Sequence, residues 1–318
     1  MVRLIGLEDL LDGYKVYLED SFRKELIRKA VEQTDGLVKL SKSVGVDWSS
    51  LCKIRRGYRI LKGKQSIYFV KIGLLKKLLK LTQSSIRETE KHVTGIAYSK
   101  HMVKVKLPII ASTELASLVG HAIGDGHAST ERFKYINKSK ELTSEVKQFT
   151  KEIFGIDGRD FIYKDCFGIE YPGIVGRLLS LIGVPLGRKV IQEIKISEWI
   201  KSGSKEIKSA FIRALFDDEG SFVLGKHQKF ISISMYKRKE LVGSHLEFLE
   251  ELRGILIELG IRPSKISFKK DWKDTKEFGF RIYSKQSLMS FYTHVGFTHK
   301  IKNHELSYYI ENYNNLKL

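Results

Sequence analysis

Apolar residues recur at helical spacing through the first 85 residues, and this pattern predicts four helices. They are expected over residues 22–31, 37–44, 48–56 and 70–81. Between the second and third, Gly45 lies where a tight turn needs a glycine, and Asp47 or Ser49 can cap the helix that follows. Residues 1–85 are therefore predicted to form a small helical domain that contains a helix-turn-helix.

The third predicted helix has polar and basic residues away from its packing positions. Leu51 and Ile54 are expected to pack it against its neighbours, and Gly57 to end it. The residues left available to a groove of DNA are Ser49, Ser50, Lys53, Arg55 and Arg56. A plain packing module with a basic face is the alternative.

The helical period is lost from residue 83 onwards. Val103, Val105 and Leu107 alternate there with lysines, which predicts a short strand. We therefore predict a linker with a short strand over residues 86–111.

Two later segments, residues 115–126 and 207–220, carry small residues every four positions. These are Ala116, Gly120 and Gly124 in the first segment and Ala210 and Ala214 in the second. On a helix this spacing leaves a stripe without large side chains, and two such stripes let two helix backbones come close. The pattern therefore predicts a pair of closely packed helices.

Each of these two helices is predicted to end in carboxylates, which is unfavourable at the negative end of the helix dipole. The first ends in Asp125 and the second in Asp217, Asp218 and Glu219, each followed by a glycine. If the helices lie side by side, Asp125 and Glu219 meet. Two close carboxylates share a proton or bind a divalent cation, and we favour the cation. The alternative is two buried helices whose acidic last turns are solvated.

The order of strands and helices after the first segment recurs after the second. Four pairs of landmarks keep their order at a growing offset: Gly126 and Gly220 at 94, Leu142 and Leu241 at 99, Gly155 and Gly260 at 105, and Gly183 and Gly296 at 113. Two copies with longer loops in the second copy give such a drift. We therefore predict two halves, residues 112–202 and 203–318, each with a sheet that is apolar toward its helices and basic toward solvent.

The two segments resemble the paired motifs of the LAGLIDADG homing endonucleases, especially archaeal and intein-borne members. The resemblance covers about residues 111–318, in the forms Leu-Val-Gly-His-Ala-Ile-Gly-Asp-Gly and Phe-Ile-Arg-Ala-Leu-Phe-Asp-Asp-Glu-Gly. It implies an α+β fold of two αββαββα halves that form a saddle of two antiparallel sheets. It also implies a site for Mg²⁺ or Mn²⁺ at Asp125 and Glu219, with Gly124 and Asp218 as further metal-binding residues. Ile123 departs from an acid of the family motif, at a position that we interpret as structural.

The family also places a catalytic lysine in each half. Lys189 and Lys302 each stand six residues after the glycine that ends the last helix of their copy, Gly183 and Gly296. By the resemblance they are assigned as the catalytic lysines, with Lys195 and Lys300 as the next candidates.

The charge of the chain points to a polyanionic partner. Fifty-six Lys and Arg against 37 Asp and Glu give a formal net charge of +19, and acids would keep pace with bases in a merely lysine-rich thermophile protein. Double-stranded DNA is therefore the expected partner. Its candidate contacts on the predicted sheets are Arg132, Lys134, Lys229, Lys269, Arg281 and Lys285. Solvated side chains are the alternative at each of these positions.

Other classes of protein are excluded or disfavoured by the sequence. Cys52 and Cys166 are solitary, which supports neither a zinc site nor a disulfide scaffold. Apolar runs are too short to span a bilayer, and the first residues lack a secretory pattern, so a cytoplasmic location is expected. The two ends also lack the splicing residues of an intein, and a free-standing protein is expected.

Taken with the resemblance, these features predict a monomeric, site-specific DNA endonuclease. It would make a metal-dependent double-strand break in a long asymmetric target, with one reaction centre per strand. Three alternatives stay open: a non-cleaving DNA-binding regulator, an RNA maturase built on the same fold, and a nuclease based on the triplets that start at Glu193 or Glu206.

Overall fold

The structure is a computed structural model that describes residues 2–61, 64–225 and 228–312. The chain forms two compact units. One comprises Met1–Ile110 with Ile153–Ile156, and the other comprises Ala111–Glu152 with Asp157–Leu318. Among the described residues, no helix is both long and apolar enough to cross a membrane.

The first unit mixes helices and short strands. Its elements are β1 (Arg3–Ile5), β2 (Lys15–Leu18), α1 (Asp20–Gln33), α2 (Leu37–Val44), α3 (Trp48–Arg56), β3 (Tyr58–Leu61), β4 (Lys64–Ile67), β5 (Val70–Lys71), α4 (Ile72–Leu81), α5 (Ile86–Glu90), β6 (Val93–Ala97), β7 (Met102–Val103) and β8 (Ile109–Ile110). The helices lie close to where the apolar pattern predicts them, but the prediction of a wholly helical domain is wrong. Strands β5, β2, β6 and β7 form a four-stranded sheet in that order.

Residues 86–110 belong to this unit, so they are not a linker as the sequence suggested. Strand β6 lies between β2 and β7 in the four-stranded sheet, and β8 pairs with β1. The ion pair between Glu90 and Arg3, with a 2.8 Å contact, also fixes the segment to the start of the chain. The backbone N–H and C=O groups of this segment are thus hydrogen-bonded to strands some 80 residues or more earlier in the chain. A local sequence pattern cannot show such pairing.

Helices α2 and α3 have the local features of a helix-turn-helix. Gly45 follows α2 with a φ of 69°, a left-handed conformation that favours glycine. The Asp47 carboxylate then caps α3 by accepting a hydrogen bond from Ser50 N at 2.8 Å. Leu40, Val44, Leu51 and Ile54 form the buried apolar positions of the pair.

The second unit contains two copies of one αββαββα arrangement. The first copy consists of α6 (Thr113–Ile123), β9 (Gly126–Ala128), β10 (Arg132–Asn137), α7 (Lys140–Phe154), β11 (Arg159–Tyr163), β12 (Cys166–Pro172) and α8 (Gly173–Leu181). After the short α9 (Glu198–Lys201), the second copy consists of α10 (Lys205–Glu219), β13 (Gly220–Leu224), β14 (Lys229–Arg238), α11 (Val242–Glu258), β15 (Ser267–Asp271), β16 (Thr275–Ile282) and α12 (Lys285–His294), followed by α13 (Lys300–Glu311). The α+β fold predicted from the resemblance is therefore confirmed.

The two sheets repeat each other in strand order and in register. Their orders are β9-β10-β12-β11 and β13-β14-β16-β15, with every pair antiparallel. Gly126 lies opposite Tyr135 in the first sheet, and Gly220 lies opposite Ile233 in the second. Each motif helix therefore enters its sheet at the same point.

Helices α6 and α10 pack with their backbones in contact. A Cβ atom added at Gly120 would lie 2.7 Å from the carbonyl oxygen of Phe211 and 2.8 Å from Cβ of Ala214, so only glycine fits without a shift. The Ser117 hydroxyl donates to the Ala210 carbonyl at 3.3 Å across the same seam. The stripes of small residues thus bring the two helices together as the sequence indicated.

Candidate active site

The site lies where α6 and α10 end side by side. Both helices begin with a serine cap, Ser112 and Ser204, whose hydroxyls accept from backbone N–H groups one turn later. At the other end, a Cβ added at Gly124 would lie 2.5 Å from Oδ2 of Asp218. The last turn of α6 therefore abuts the Asp218 side chain of the second motif.

Asp125 is exposed and is held by two contacts. Its backbone N–H donates to Asp218 Oδ2 at 3.1 Å, and Nδ2 of Asn137 donates to its Oδ2 at 2.7 Å. The surrounding protein atoms desolvate the carboxylate, and together with the negative charges of Asp218 and Glu219 they raise its pKa to about 7. Lys189 and the Asn137 hydrogen bond act in the opposite direction.

Glu219, at the end of α10, is half-buried. Burial raises the pKa of its carboxyl group, the positive charge of Lys189 lowers it, and Asp218 raises it again. Its charge in turn affects the pKa of Asp125, so the two motif acids lie within electrostatic range of each other. The structure thus brings together the two carboxylates that the sequence paired.

The two assigned lysines lie beside these acids. The Lys189 ammonium donates to the Ile123 carbonyl at 2.8 Å, and Lys302 donates to the carbonyls of Asp217 and Gly220 at 2.5 and 2.7 Å. Burial lowers the pKa of both lysines, and the neighbouring carboxylates oppose that shift. Each lysine therefore supplies positive charge at the negative end of one motif helix.

The two alternative lysines lie elsewhere on the surface. The exposed Lys195 pairs with Glu193 at 3.8 Å, and the exposed Lys300 pairs with Glu141 at 2.8 Å. The structure therefore favours Lys189 and Lys302 by position.

Asp218 lies in a buried polar network rather than facing solvent. Its carboxylate accepts from the Tyr135 hydroxyl at 2.7 Å and lies 3.1 Å from Nδ1 of His121. Nε2 of His121 lies 3.2 Å from Glu145. Burial lowers the pKa of His121, but the two carboxylates outweigh burial and raise it to about 10. The Asp218 carboxylate is therefore engaged inside the protein, and metal binding by this residue stays a prediction.

Asp217 has a structural role in the second half. Its carboxylate is buried and accepts from the backbone N–H groups of Thr298 and His299, both at 3.0 Å, in front of the first turn of α13. Burial raises its pKa to about 6, and these two hydrogen bonds oppose the shift. The equivalent position in the first half is Ile123, in line with the structural interpretation of that position.

The residues present fit a hard divalent cation. The two motif carboxylates offer oxygen ligands, which Mg²⁺ prefers, and a bound cation would relieve the charge repulsion by Glu219 that helps to raise the pKa of Asp125. Within the described ranges, no group of three or more His, Cys, Asp or Glu side chains could hold a metal ion alone. A bound Mg²⁺ would therefore depend on water or substrate oxygens for the rest of its ligands.

The basic candidates on the first sheet are neutralised in part. Arg132 and Lys134 lie on its outward face, where both contact Glu170, at 3.5 and 2.9 Å. Arg159, which the sequence analysis did not select, contacts the same carboxylate at 3.1 Å. The first sheet thus carries three cations around one acid.

On the second sheet, Arg281 lies opposite Ser232 on the outward face, with its guanidinium 4.2 Å from the centre of the Phe230 ring. Lys229 lies 5.8 Å from the Tyr309 ring. Lys269 lies at an irregularity of β15 and is half-buried. Lys285 begins α12 and does not extend the last strand, which corrects its predicted placement.

In the first unit, Lys53, Arg55 and Arg56 are exposed along α3. Ser49 and Ser50 donate to the Asp47 carboxylate at 2.7 and 2.6 Å, so their hydroxyls stabilise the cap of α3 in this structure. These contacts lower the pKa of Asp47.

Besides Arg159, four residues near the motif helices were not predicted from the sequence. Asn137 and Tyr135 come from β10, and Glu145 from α7, so only the fold brings them to the motif helices. His121 lies within the quoted motif itself, and its polar side chain at an otherwise apolar helix position was the available signal.

The chain is similar to a family model and to several solved structures. A family model described as a LAGLIDADG-like domain matches residues 206–296. Among solved structures, the chain is similar to WhiA from Thermatoga maritima, with a TM-score of 0.44 and 14% identity over 66% of this chain and 63% of that one. It is also similar to the homing endonuclease I-WcaI bound to its DNA recognition sequence, with a TM-score of 0.39 and 13% identity over 63% of this chain and 86% of that one.

The curated relatives that match this chain carry the names of proteins with different activities. The chain is 24% identical to a Methanocaldococcus jannaschii glutamine–fructose-6-phosphate aminotransferase over 95% of this chain and 26% of that protein. It is 30% identical to the replication factor C small subunit of the same organism over 48% of this chain and 10% of that protein. A tRNA-splicing ligase RtcB of Methanopyrus kandleri is 24% identical over 68% of this chain and 24% of that protein. The chain spans about a quarter or less of the length of these relatives.

The matched model covers most of the second half, from the start of its motif helix to Gly296. The first half repeats the strand order and register of the second, and its own motif helix packs against the helix in the matched region. Residues 206–296 of this chain therefore match a LAGLIDADG-like domain, and the first half repeats the same order of strands.

Proposed function

We propose that this chain is a site-specific DNA endonuclease that cuts both strands of a long asymmetric target as a single chain. One observation carries the proposal: Asp125 and Glu219 lie at the adjoining ends of two backbone-packed helices, with Lys189 beside both. Two acids at the C-terminal ends of helices are unfavourable because the helix dipole favours cations there, so packing alone does not explain them. A reaction on phosphate diesters accounts for both the acids and the lysines.

In this proposal Asp125 and Glu219 would hold Mg²⁺ or Mn²⁺, and Gly124 and Asp218 would be further metal-binding residues. A bound ion would supply an activated water and would neutralise charge on the leaving oxygen. Asn137 orients the Asp125 carboxylate through its 2.7 Å hydrogen bond. Lys189 and Lys302 provide positive charge for the phosphate, and the outward faces of the two sheets bind the duplex.

The decisive test is digestion of a randomised duplex library with Mg²⁺ present. The wild-type chain should yield one recovered site with both strands cut. Asp125→Asn and Glu219→Gln should each lose more than about 100-fold of the cleavage rate, since even residues behind metal ligands cost 10- to 100-fold when changed. Glu198→Gln, which neutralises an exposed acid paired with Lys201, is the matched control and should cut normally.

A non-cleaving DNA-binding regulator is the second candidate, and the exposed basic side of α3 favours it. Selective binding of one sequence without any cut in Mg²⁺ or Mn²⁺ would establish the regulator and reject the endonuclease. Normal cutting by both acid variants would reject the assigned site. Binding should be measured by fluorescence anisotropy in EDTA, so that affinity is separated from chemistry.

A further inference from the structure

An open cleft of about 410 Å³ lies at one end of the second sheet, lined by Tyr236, Trp272, Lys273, Asp274 and Thr275. Two aromatic rings form its walls: Tyr236 on β14 and Trp272 in the turn between β15 and β16, with ring centres 6.3 Å apart and planes tilted by 57°. Tyr236 is 43% exposed and Trp272 is 45% exposed. Rings of this size are usually buried, so a pair left open at a surface suggests a ligand.

The cleft belongs to the face on which the duplex is proposed to lie. Along β14, Tyr236 alternates with Ser234 and Ser232, and Ser232 lies opposite Arg281 on the outward face. Across the sheet, Tyr236 lies opposite Glu277, and Glu277 lies opposite Lys270. A nucleic acid bound over Arg281 therefore extends toward the cleft along the same strands.

The charges around the cleft favour a polyanion over an apolar protein partner. The Lys270 ammonium lies 3.7 Å from the centre of the Trp272 ring, and Lys273 lines the cleft. Arg238, two residues beyond Tyr236, is exposed. Two of the nearby acids are engaged within the protein: Asp271 pairs with Lys239 at 2.9 Å, and Glu277 accepts from the Ser234 hydroxyl at 2.6 Å. The third, Asp274, is exposed at the cleft and is outnumbered by Arg238, Lys270 and Lys273.

The first half contains a similar hairpin without the second aromatic wall. Tyr163 ends β11, is 56% exposed, and has the Lys164 ammonium 5.6 Å from its ring centre. Tyr236 stands three residues after the residue opposite Gly220, and Lys138 occupies the equivalent position in the first half. The paired rings are therefore a feature of one half, and the other half provides a matched control.

We infer that the Tyr236–Trp272 cleft binds one unpaired nucleobase of DNA by stacking, which deepens the proposed function and rests on it. In a paired duplex both faces of each base are covered by its neighbours, so a ring cleft can accept only a base that has left the stack. Stacking on an aromatic side chain is tolerant of base identity, and the lysines hold the adjoining phosphates. The cleft would thus recognise a distorted DNA site rather than a particular base.

The test compares three 30-base-pair DNA probes that share one sequence, using the full chain and fluorescence anisotropy in EDTA. One probe is fully paired, one carries a single bulged adenosine, and one carries a bulged abasic nucleotide. The wild-type chain should bind the adenosine bulge about 5- to 150-fold more tightly than the abasic bulge. Trp272→Ala should lose this ratio, Trp272→Phe should keep most of it, and Tyr163→Ala should keep it in full.

Because the readout is a ratio between two bulged probes, it separates this inference from the proposed function. Failure to bind any of the three probes would count against the DNA-binding function itself. Binding of all three with equal affinity, or an unchanged ratio in Trp272→Ala, would overturn the cleft alone. A preference seen only with RNA probes of the same sequence would show that DNA was the wrong ligand.

Discussion

Lys302 donates to backbone carbonyls at the end of α10 and the start of β13. Its ammonium donates to the carbonyls of Phe216, Asp217 and Gly220, at 3.2, 2.5 and 2.7 Å. A helix cannot satisfy its final carbonyls internally, and a cation there also complements the dipole. The residue assigned to catalysis therefore also has a structural function.

Lys302→Met should lower the free energy of unfolding by about 1–3 kcal/mol, because it removes the shared donor of partly buried carbonyls. Lys300→Met is the matched control. Its exposed ammonium pairs with Glu141 at 2.8 Å, and such a surface pair contributes less than about 1 kcal/mol. Urea unfolding of both variants at neutral pH measures the difference. Equal losses would show that the carbonyl contacts contribute nothing specific.

Single residues also show where prediction from the sequence reaches its limit. Asp125 and Glu219 were recognisable because each follows a striped helix and precedes a glycine. Asn137 was not, because its contact with Asp125 depends on β10 folding back along β9, with Tyr135 opposite Gly126. The role of Asp218 depends on His121 and Tyr135, which lie 97 and 83 residues away in the chain.

At the scale of elements, the contact between α6 and α10 depends on the absence of side chains. Gly120 faces the Phe211 carbonyl and Ala214, and an added Cβ would come within 2.7 and 2.8 Å of them. Both neighbours are backbone or backbone-attached atoms, so they cannot rotate away as the end of a flexible side chain would. The two site acids keep their relative positions only if this contact is preserved.

Gly120→Ala should therefore destabilise the chain by about 1–3 kcal/mol through overpacking. The same substitution at Gly254, inside α11, should instead stabilise it by up to about 1 kcal/mol, since a Cβ there meets nothing within 4 Å and alanine favours a helix. Thermal unfolding of the two variants gives opposite shifts in Tm. Shifts of the same sign would contradict close packing of the motif helices.

Elements differ in how far their sequence determines them. The long helices were predictable because an apolar stripe of three or four turns is a local property, as in α1, α4 and α11. The strands of the first unit were not. They are two to five residues long, and β2 pairs with β6 some 75 residues later, which no local window can detect. The order of strands and helices along the two later halves was predictable because the second half repeats the first.

At the scale of the whole molecule, the formal net charge of +19 predicts an affinity for DNA that depends strongly on salt. The cations differ in whether an acid of the same helix neutralises them. On α1, Lys24, Arg28 and Lys29 each contact an acid of the same helix. On α3, Lys53, Arg55 and Arg56 are exposed, and α3 contains no acid of its own.

Removing the three α3 cations together should therefore reduce the slope of log Kd against log salt by about 2 to 3, because each phosphate contact contributes about 0.9. Removing the three α1 cations changes the formal charge equally but should alter the slope by less than about 1, since those cations are already paired. Titrations of one duplex by anisotropy at several NaCl concentrations measure both. Equal slopes for the two triple variants would mean that α3 does not contact DNA, and that α2 and α3 only pack the first unit.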